Sequence, residues 1–419
     1  MNHKYFLDLK NEAPKNGDMP FVMAVRQALV KADVFLGMIL YRKTDQLFPE
    51  PTYEVLNEVN CATIPFNEKA NPELLKDSIS RACKHLARLA GFKAHPVAMM
   101  YHQDERLLAA QPNDIPFAIT HHGPILADVA RFYPRAQDLL KAFGTDSGSW
   151  QKVTELAELQ ASGLQSITKR SDGYILAMSD IQGKHFRSSG VDIQKVLNFP
   201  PPLQAMLSAH APQLGTKRLF GVNDKKFLFT AVARLTFFKN IELLIDGAVL
   251  LLERGLSDLS ILVAGGDESK VHEDIRSQLL SRIPSRFRKN FHVIQRMPQE
   301  ELYAYFGSRQ VQETGIFVCC SRYETLGITP LEAALSGVST IITDRAPVEA
   351  ARYFPPGYRF EAETRALADR LEQLFRGDMR KGGQDLRSHV MKATEERGDF
   401  EINFLRVWEK LSAFALLDK

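Results

Sequence analysis

The chain has 419 residues, 45% of them hydrophobic and 25% charged, with 53 basic against 50 acidic side chains and a net charge of +3. These values exclude collagen-like, coiled-coil and largely disordered chains, and so small a net charge aims no global field at nucleic acid. At roughly 100–200 residues per domain, the length predicts two or three domains.

The opening stretch MNHKYFLDLKNEAPKNGD has neither a long apolar run nor a small-residue cleavage site, so it does not read as a signal peptide. Short β-rich runs then alternate with helical patterns. In the first half, strands are expected at Tyr5–Leu9, Val34–Tyr41, Ala62–Phe66, Val97–Tyr101, Phe117–Thr120 and Tyr174–Met178, with helices at Pro20–Lys31 and Glu73–Leu89. Residues 73–93 set Lys76, Arg81, Lys84, Arg88 and Lys93 against Glu73 and Asp77, which reads as the solvated face of a helix. The chain breaks around Asn198–Lys226, where NFPPPL and a polar, turn-rich segment precede the next strand. Strands follow at Phe227–Ala233, Ser260–Ala264, Phe291–Ile294, Ile316–Cys319 and Val338–Thr343. Near-continuous apolar runs such as FLFTAVA and SILVA suit parallel sheets covered on both faces.

This alternation predicts two doubly wound α/β domains. Their expected bounds are 1–205 and 223–399, with a linker at 206–222. Arg380–Gly398 reads as a polar segment, and Phe400–Leu417 as a helix that packs back on the first domain. The longest apolar runs, such as Gly247–Leu252, are far shorter than the roughly 20 residues that span a bilayer. Cys61, Cys83, Cys319 and Cys320 form neither a CxxC pair nor a disulfide framework, so a reduced, cytoplasmic protein is expected.

The most informative segment is GIFVCCSRYETLGITPLEAALSGVSTIIT, residues 315–343. A buried strand runs into a loop carrying Glu324, and a helix expected to open at Pro330 carries Glu332. The amides of Thr325, Leu326 and Gly327, ahead of a helix N-terminus, suit a phosphate or sugar hydroxyls. Thr329-Pro330-Leu331-Glu332 also reads as a capping box, a structural reason sufficient for Glu332. Glu324 has no such reason. Polar groups at the carboxyl end of a parallel strand are where α/β proteins bind ligands.

Between Phe227 and Gly255 lies another strand, loop and amphipathic helix, with Asn240 as expected N-cap and Ile241, Leu244, Ile245, Ala248 and Leu252 on one face. Arg234 and Lys239 flank the loop. Two cations at the mouth of a strand and just before a helix N-terminus suit an anionic ligand. In the first half, His121 and His122 follow the strand Phe117–Thr120, and a turn at Gly123-Pro124 leads into a helix.

Together these segments resemble the family 4 retaining glycosyltransferases, whose members have the GT-B fold of two Rossmann-like domains facing across a cleft. Ser321-Arg322-Tyr323-Glu324-Thr325-Leu326-Gly327 and Leu331-Glu332-Ala333 are similar to that family's E-x7-E signature. The loop after Phe227–Ala233 is similar to its Gly-Arg-Leu-x(4)-Lys-Gly pattern, with Ala233 and Asn240 replacing the glycines. The resemblance implies that Glu324 holds the donor sugar's hydroxyls, Glu332 the nucleotide ribose, and Arg234 and Lys239 the diphosphate. It places His122 opposite the donor sugar and His102 or Asp104 near the cleft mouth. Where the family has a Gly-Gly turn near phosphates and acceptor, this chain has Asn16-Gly17-Asp18, which makes Gly17 a donor-side candidate. SSGVDIQKV, residues 188–196, is similar to the Asn-Gly-Val-Asp stretch before the linker, with Ser189 in place of Asn.

The implied activity is a metal-independent, retaining transfer from a nucleotide-diphosphate sugar, a UDP-sugar by preference, to a small-molecule or glycan hydroxyl. No cofactor beyond the donor is implied, and no nucleic-acid partner. Some members of the family dock on membranes through a basic helix of the first domain; residues 73–93 lack Trp and a concentrated basic run, which favours the solvated-face reading without removing the alternative. Two further readings share the fold: a sugar-nucleotide epimerase, and a non-catalytic sugar-nucleotide-binding protein, against which the retention of Arg234, Lys239, Glu324 and Glu332 together argues. A nicotinamide dehydrogenase would want GxGxxG, and Gly265-Gly266-Asp267 lacks that spacing.

Overall fold

The computed structural model describes residues 19–45, 50–67, 71–91, 98–102, 110–121, 123–144, 149–199, 203, 226–395 and 400–417. The expected strand Tyr5–Leu9, the Asn16-Gly17-Asp18 turn, His122, Asp104 and the linker 206–222 lie outside them.

Three sheets carry the fold. In the first half, β1 (Met38–Lys43) and β3 (Val59–Phe66) run parallel, and β2 (Thr52–Leu56) pairs antiparallel with β3. The hairpin between β2 and β3 turns on Asn57 and Glu58, both with positive φ (48° and 63°), as a two-residue type I′ turn requires. β2 was not expected from the sequence: its side chains are mostly exposed, so it carries no buried apolar face to mark it. A second, all-parallel sheet follows in the order β4 (Met99–His102), β5 (Phe117–Thr120), β6 (Gly173–Ala177), β7 (Val196–Asn198). The helix Pro72–Leu89 buries Leu75, Ile79, Ala82, Cys83 and Leu86 in one core with Ile64 of β3 and Phe117 and Ile119 of β5. It thus joins the two sheets of this half, and its charged residues form the opposite face.

The second half holds six parallel strands in the order β10-β9-β8-β11-β12-β13: Phe291–Ile294, Leu259–Gly265, Lys226–Val232, Gly315–Cys319, Ser339–Thr343 and Arg359–Phe360. Taken in chain order this is 3-2-1-4-5-6, the doubly wound order whose connectivity reverses between its first and fourth strands, here β8 and β11. Strand periodicity splits the core in two. Phe227, Phe229 and Phe317 face Tyr305 and Phe306, whereas Leu228, Ile316 and Val318 face the helices Ile241–Glu253 and Thr364–Phe375. Both faces are covered, which is why these strands read as unbroken apolar runs.

The segment from Arg380 to Glu395 is not an irregular connector. It lies in a helix, Met379–Glu395, whose Leu386 and Val390 enter the core of the second domain while polar residues cover the outside. The final helix, Phe400–Leu417, sets Phe404, Val407 and Leu411 against Phe21 and Val25 of the helix Met19–Lys31, in the first half. Lys31 and Glu401 close that contact at 2.6 Å. No helix among the described residues is long and apolar enough to cross a membrane.

Candidate active site

β8 and β11 lie side by side, Gly315 in register with Phe227, so the loops at their carboxyl ends meet at the sheet's reversal point. The β8 loop carries Arg234 and Lys239, and the β11 loop carries Glu324. Lys239 Nζ lies 2.5 Å from Glu324 Oε1. Ser321 Oγ donates to the same oxygen at 2.6 Å. Arg234 is exposed and makes no hydrogen bond or ion pair with another described residue. One cation is thus held by a carboxylate and the other is open to a ligand.

Local backbone chemistry sets both loops. Asn240 does precede the helix Ile241–Glu253, but its side chain makes no capping bond. It contributes a left-handed backbone (φ 49°, ψ 44°), a conformation that Asn tolerates better than most residues and that glycine adopts freely. On the second loop, Gly327 has φ 85°, and a Cβ there would lie 2.7 Å from Ala350 Cβ. Glycine is required on both counts. None of the amides of Thr325, Leu326 and Gly327 donates to another described residue, so three N–H groups remain ahead of the helix.

That helix spans Ile328–Leu335, with Gly327 at its N-cap position. It starts two residues before Pro330, which corrects the capping-box reading: Glu332 lies in the second turn and caps nothing. The carboxyl group is instead buried, 3% exposed, and accepts a hydrogen bond from Tyr303 Oη at 2.7 Å. Burial raises its pKa to about 7, opposed by the Tyr303 bond. Gly337 ends the helix in left-handed geometry, its N–H donating to Ala334 and that of Val338 to Ala333.

The first half reaches this site directly. Tyr133 Oη donates to the carbonyl of Arg322 at 2.8 Å, Tyr323 Oη to Asp128 Oδ2 at 2.7 Å, and Thr325 Oγ1 to the carbonyl of Gly123 at 3.3 Å. Glu349, fully buried, accepts from the amides of Asp180 and Ile181 at the start of the helix Asp180–Ser188. His121 is buried at the end of β5, its carbonyl accepting from Gln182 Nε2 at 2.7 Å.

Of the expected site residues, the structure brings Lys239, Glu324, Thr325, Leu326 and Gly327 together beside Arg234, and buries Glu332 on the helix behind them. His122 and Gly17 fall outside the described residues, as do the side chain of His102 and all of Asp104. Sequence reading missed Tyr303, Asp128 and Glu349. Tyr303 sits in the run Leu302–Phe306, where an aromatic ring reads as core, and the partners of all three are set by tertiary contacts. One signal was present: Asp128 is a lone carboxylate within Ile125–Val129, an otherwise apolar run.

Residues 216–396 match the family model of glycosyl transferases group 1. Over 95% of its length the chain superposes on structures with the GT-B fold, and the matched segment falls within its second half. Among curated proteins, it is 31% identical over 135 residues to a mannosylfructose-phosphate synthase of Agrobacterium fabrum, a stretch that covers 30% of this chain and 27% of that protein. A sucrose-phosphate synthase from Thermosynechococcus elongatus aligns with a TM-score of 0.63 at 15% identity, over 95% of this chain and 94% of that one. An alpha,alpha-trehalose-phosphate synthase (UDP-forming) from Burkholderia xenovorans, in complex with glucose-6-phosphate, aligns with a TM-score of 0.61 at 14% identity, over 95% and 98%.

Proposed function

We propose that this protein is a retaining, metal-independent glycosyltransferase of the family 4 type. It would move a sugar from a nucleotide-diphosphate sugar, a UDP-sugar by preference, to an acceptor hydroxyl. The observation that carries this reading is the Lys239–Glu324 pair at the reversal point of the second sheet, on loops that also carry the exposed Arg234 and three amides that donate to no other described residue. The first domain, residues 1–205, would hold the acceptor, and the second, 223–399, the donor. Related names favour a sugar phosphate as acceptor: the aligned proteins are synthases of mannosylfructose phosphate, sucrose phosphate and trehalose phosphate.

The chemistry follows from the charges. As the bond between the anomeric carbon and the diphosphate oxygen breaks, Arg234 and Lys239 neutralise the departing diphosphate. Lys239 would turn from Glu324 to the phosphate, which frees Glu324 for the sugar's hydroxyls. The acceptor oxygen attacks from the face the diphosphate leaves, and its proton passes to the departing phosphate oxygen. No carboxylate is needed as a covalent nucleophile. Glu332 would hold the ribose.

Incubation with UDP-, GDP- and ADP-sugars and hexose phosphates, glucose 6-phosphate among them, tests the reading by nucleotide release and by the product's anomeric configuration. Inversion would overturn the mechanism, and release without a glycosylated product would favour an epimerase-like or hydrolytic role. Calorimetry with the bare nucleoside diphosphate separates the glutamates. Glu332→Gln is expected to weaken binding, and Glu324→Gln to depress turnover more than affinity; the reverse pattern would exchange their roles.

A further inference from the structure

We propose that the hydrogen bond from Tyr323 to Asp128 is a positioning contact through which the first domain sets the place of Glu324. The inference rests on the function proposed above, and deepens it by adding two positioning residues. Glu324 forms an isolated parallel bridge with Val348, its N–H donating to the carbonyl of Pro347 and its carbonyl accepting from the amide of Glu349. The residues on either side are tied to the other half of the chain: Arg322 through its carbonyl to Tyr133, Tyr323 through its hydroxyl to Asp128, and Thr325 through its hydroxyl to Gly123. Glu324 itself turns to Lys239 and Ser321 within the second domain. Tyr323 directly precedes Glu324 in the chain, so fixing its side chain restrains the backbone from which the Glu324 carboxylate projects.

The Tyr323–Asp128 pair is the most buried of these ties. Asp128 is fully buried and also accepts from Arg131 at 3.2 Å, while the Tyr323 ring packs 5.9 Å from that of Phe238, on the loop that carries Lys239. Burying a carboxylate against a hydroxyl is a poor way to gain stability, because well-packed apolar side chains would fill the same space without the desolvation cost. What the pair supplies is direction and register. The Tyr323 ring touches the Lys239 loop while its hydroxyl reaches the first domain, so one side chain links both site loops to that domain.

Two variants break or keep the bond selectively. Tyr323→Phe removes only the hydroxyl, and is expected to lower kcat about tenfold, as for one lost hydrogen bond to a charged partner, with the Kd for UDP changed less than twofold. The hydrogen-bonded amides of Arg322 and Glu324 are expected to exchange faster. Asp128→Asn keeps an oxygen for the hydroxyl and is expected to retain at least about a third of kcat. Asp128→Ser, which draws the acceptor out of reach, is the second route to the same break should Tyr323→Phe fold poorly. A kcat within twofold of wild type in Tyr323→Phe, or a UDP affinity that falls in step with kcat, overturns the proposal. So does a loss in Asp128→Asn equal to that in Tyr323→Phe, which would assign the effect to charge. Should the wild-type protein neither bind UDP nor release it from a UDP-sugar, the functional reading fails by itself. Exchange at the amides of Arg322 and Glu324 then decides the positioning claim alone: faster in Tyr323→Phe supports it, and unchanged overturns it.

Discussion

Lys239 and Glu324 hold each other as a part-buried pair, their side chains 27% and 14% accessible. Neither group is fully desolvated, so an incoming diphosphate can compete with Glu324 for the lysine. Lys239→Ala and Arg234→Ala are each expected to lower turnover by roughly 10²–10³, the loss of one preorganised charge-stabilising group. Thermal melting should barely move, and wild-type turnover in both variants would remove the diphosphate assignment. Glu332 behaves differently because it is buried. Its pKa is raised to about 7 from 4.5, so between those values the folded state holds a proton that the unfolded state has lost. Stability is therefore fully present below about pH 4.5 and falls as pH rises through about 7. At about 1.4 kcal/mol per unit, the loss approaches roughly 3 kcal/mol. Glu332→Gln should gain on the wild type in melts taken from pH 4 to pH 8; parallel pH profiles would contradict the burial argument.

At the scale of elements, the loops before the two site helices depend on left-handed residues. The sequence showed a glycine at 327, and its surroundings explain it: a methyl group there meets Ala350 in a backbone region disfavoured for other residues. Gly327→Ala is expected to cost about 1–3 kcal/mol and to displace the amides of 325–327, read as a lower melting temperature and weaker UDP binding. An unchanged melting temperature would show that the loop relaxes freely. Asn240 was legible as a helix boundary but not in its manner of acting, since a capping side chain and a left-handed backbone favour the same residue type. The helix start at Ile328 was misplaced for a related reason. Pro330 and Glu332 form a good capping pattern locally, yet Gly327 can end the loop earlier, and the Tyr303 bond draws Glu332 inward instead.

Across the whole molecule, the final helix leaves the second domain and completes the core of the first. Phe404 lies among Phe199, Phe400 and Phe21, with Trp408 6.1 Å away. Phe404→Ala is expected to destabilise the first domain by about 3–5 kcal/mol, measured by denaturant unfolding followed through Trp408 fluorescence. A loss under about 1 kcal/mol would mean that the helix docks without supporting that core.

Sequence alone determined the alternating α/β architecture, nearly every strand buried on both faces, and the residue types gathered at the reversal point of the second sheet. Those features are written in local periodicity, in turn residues and in polar side chains at strand ends, none of which needs distant partners to be read. Only tertiary structure decided the strand order that sets β8 beside β11, the pairing of Lys239 with Glu324 across 85 positions, and the burial of Glu332 against Tyr303. It alone decided that Tyr323 reaches Asp128, 195 positions away. An exposed edge such as β2 leaves no apolar stripe, and a long-range hydrogen bond leaves no period. Each depends on which surfaces the folded chain brings together, because a side chain's environment is set by neighbours that its own segment does not contain.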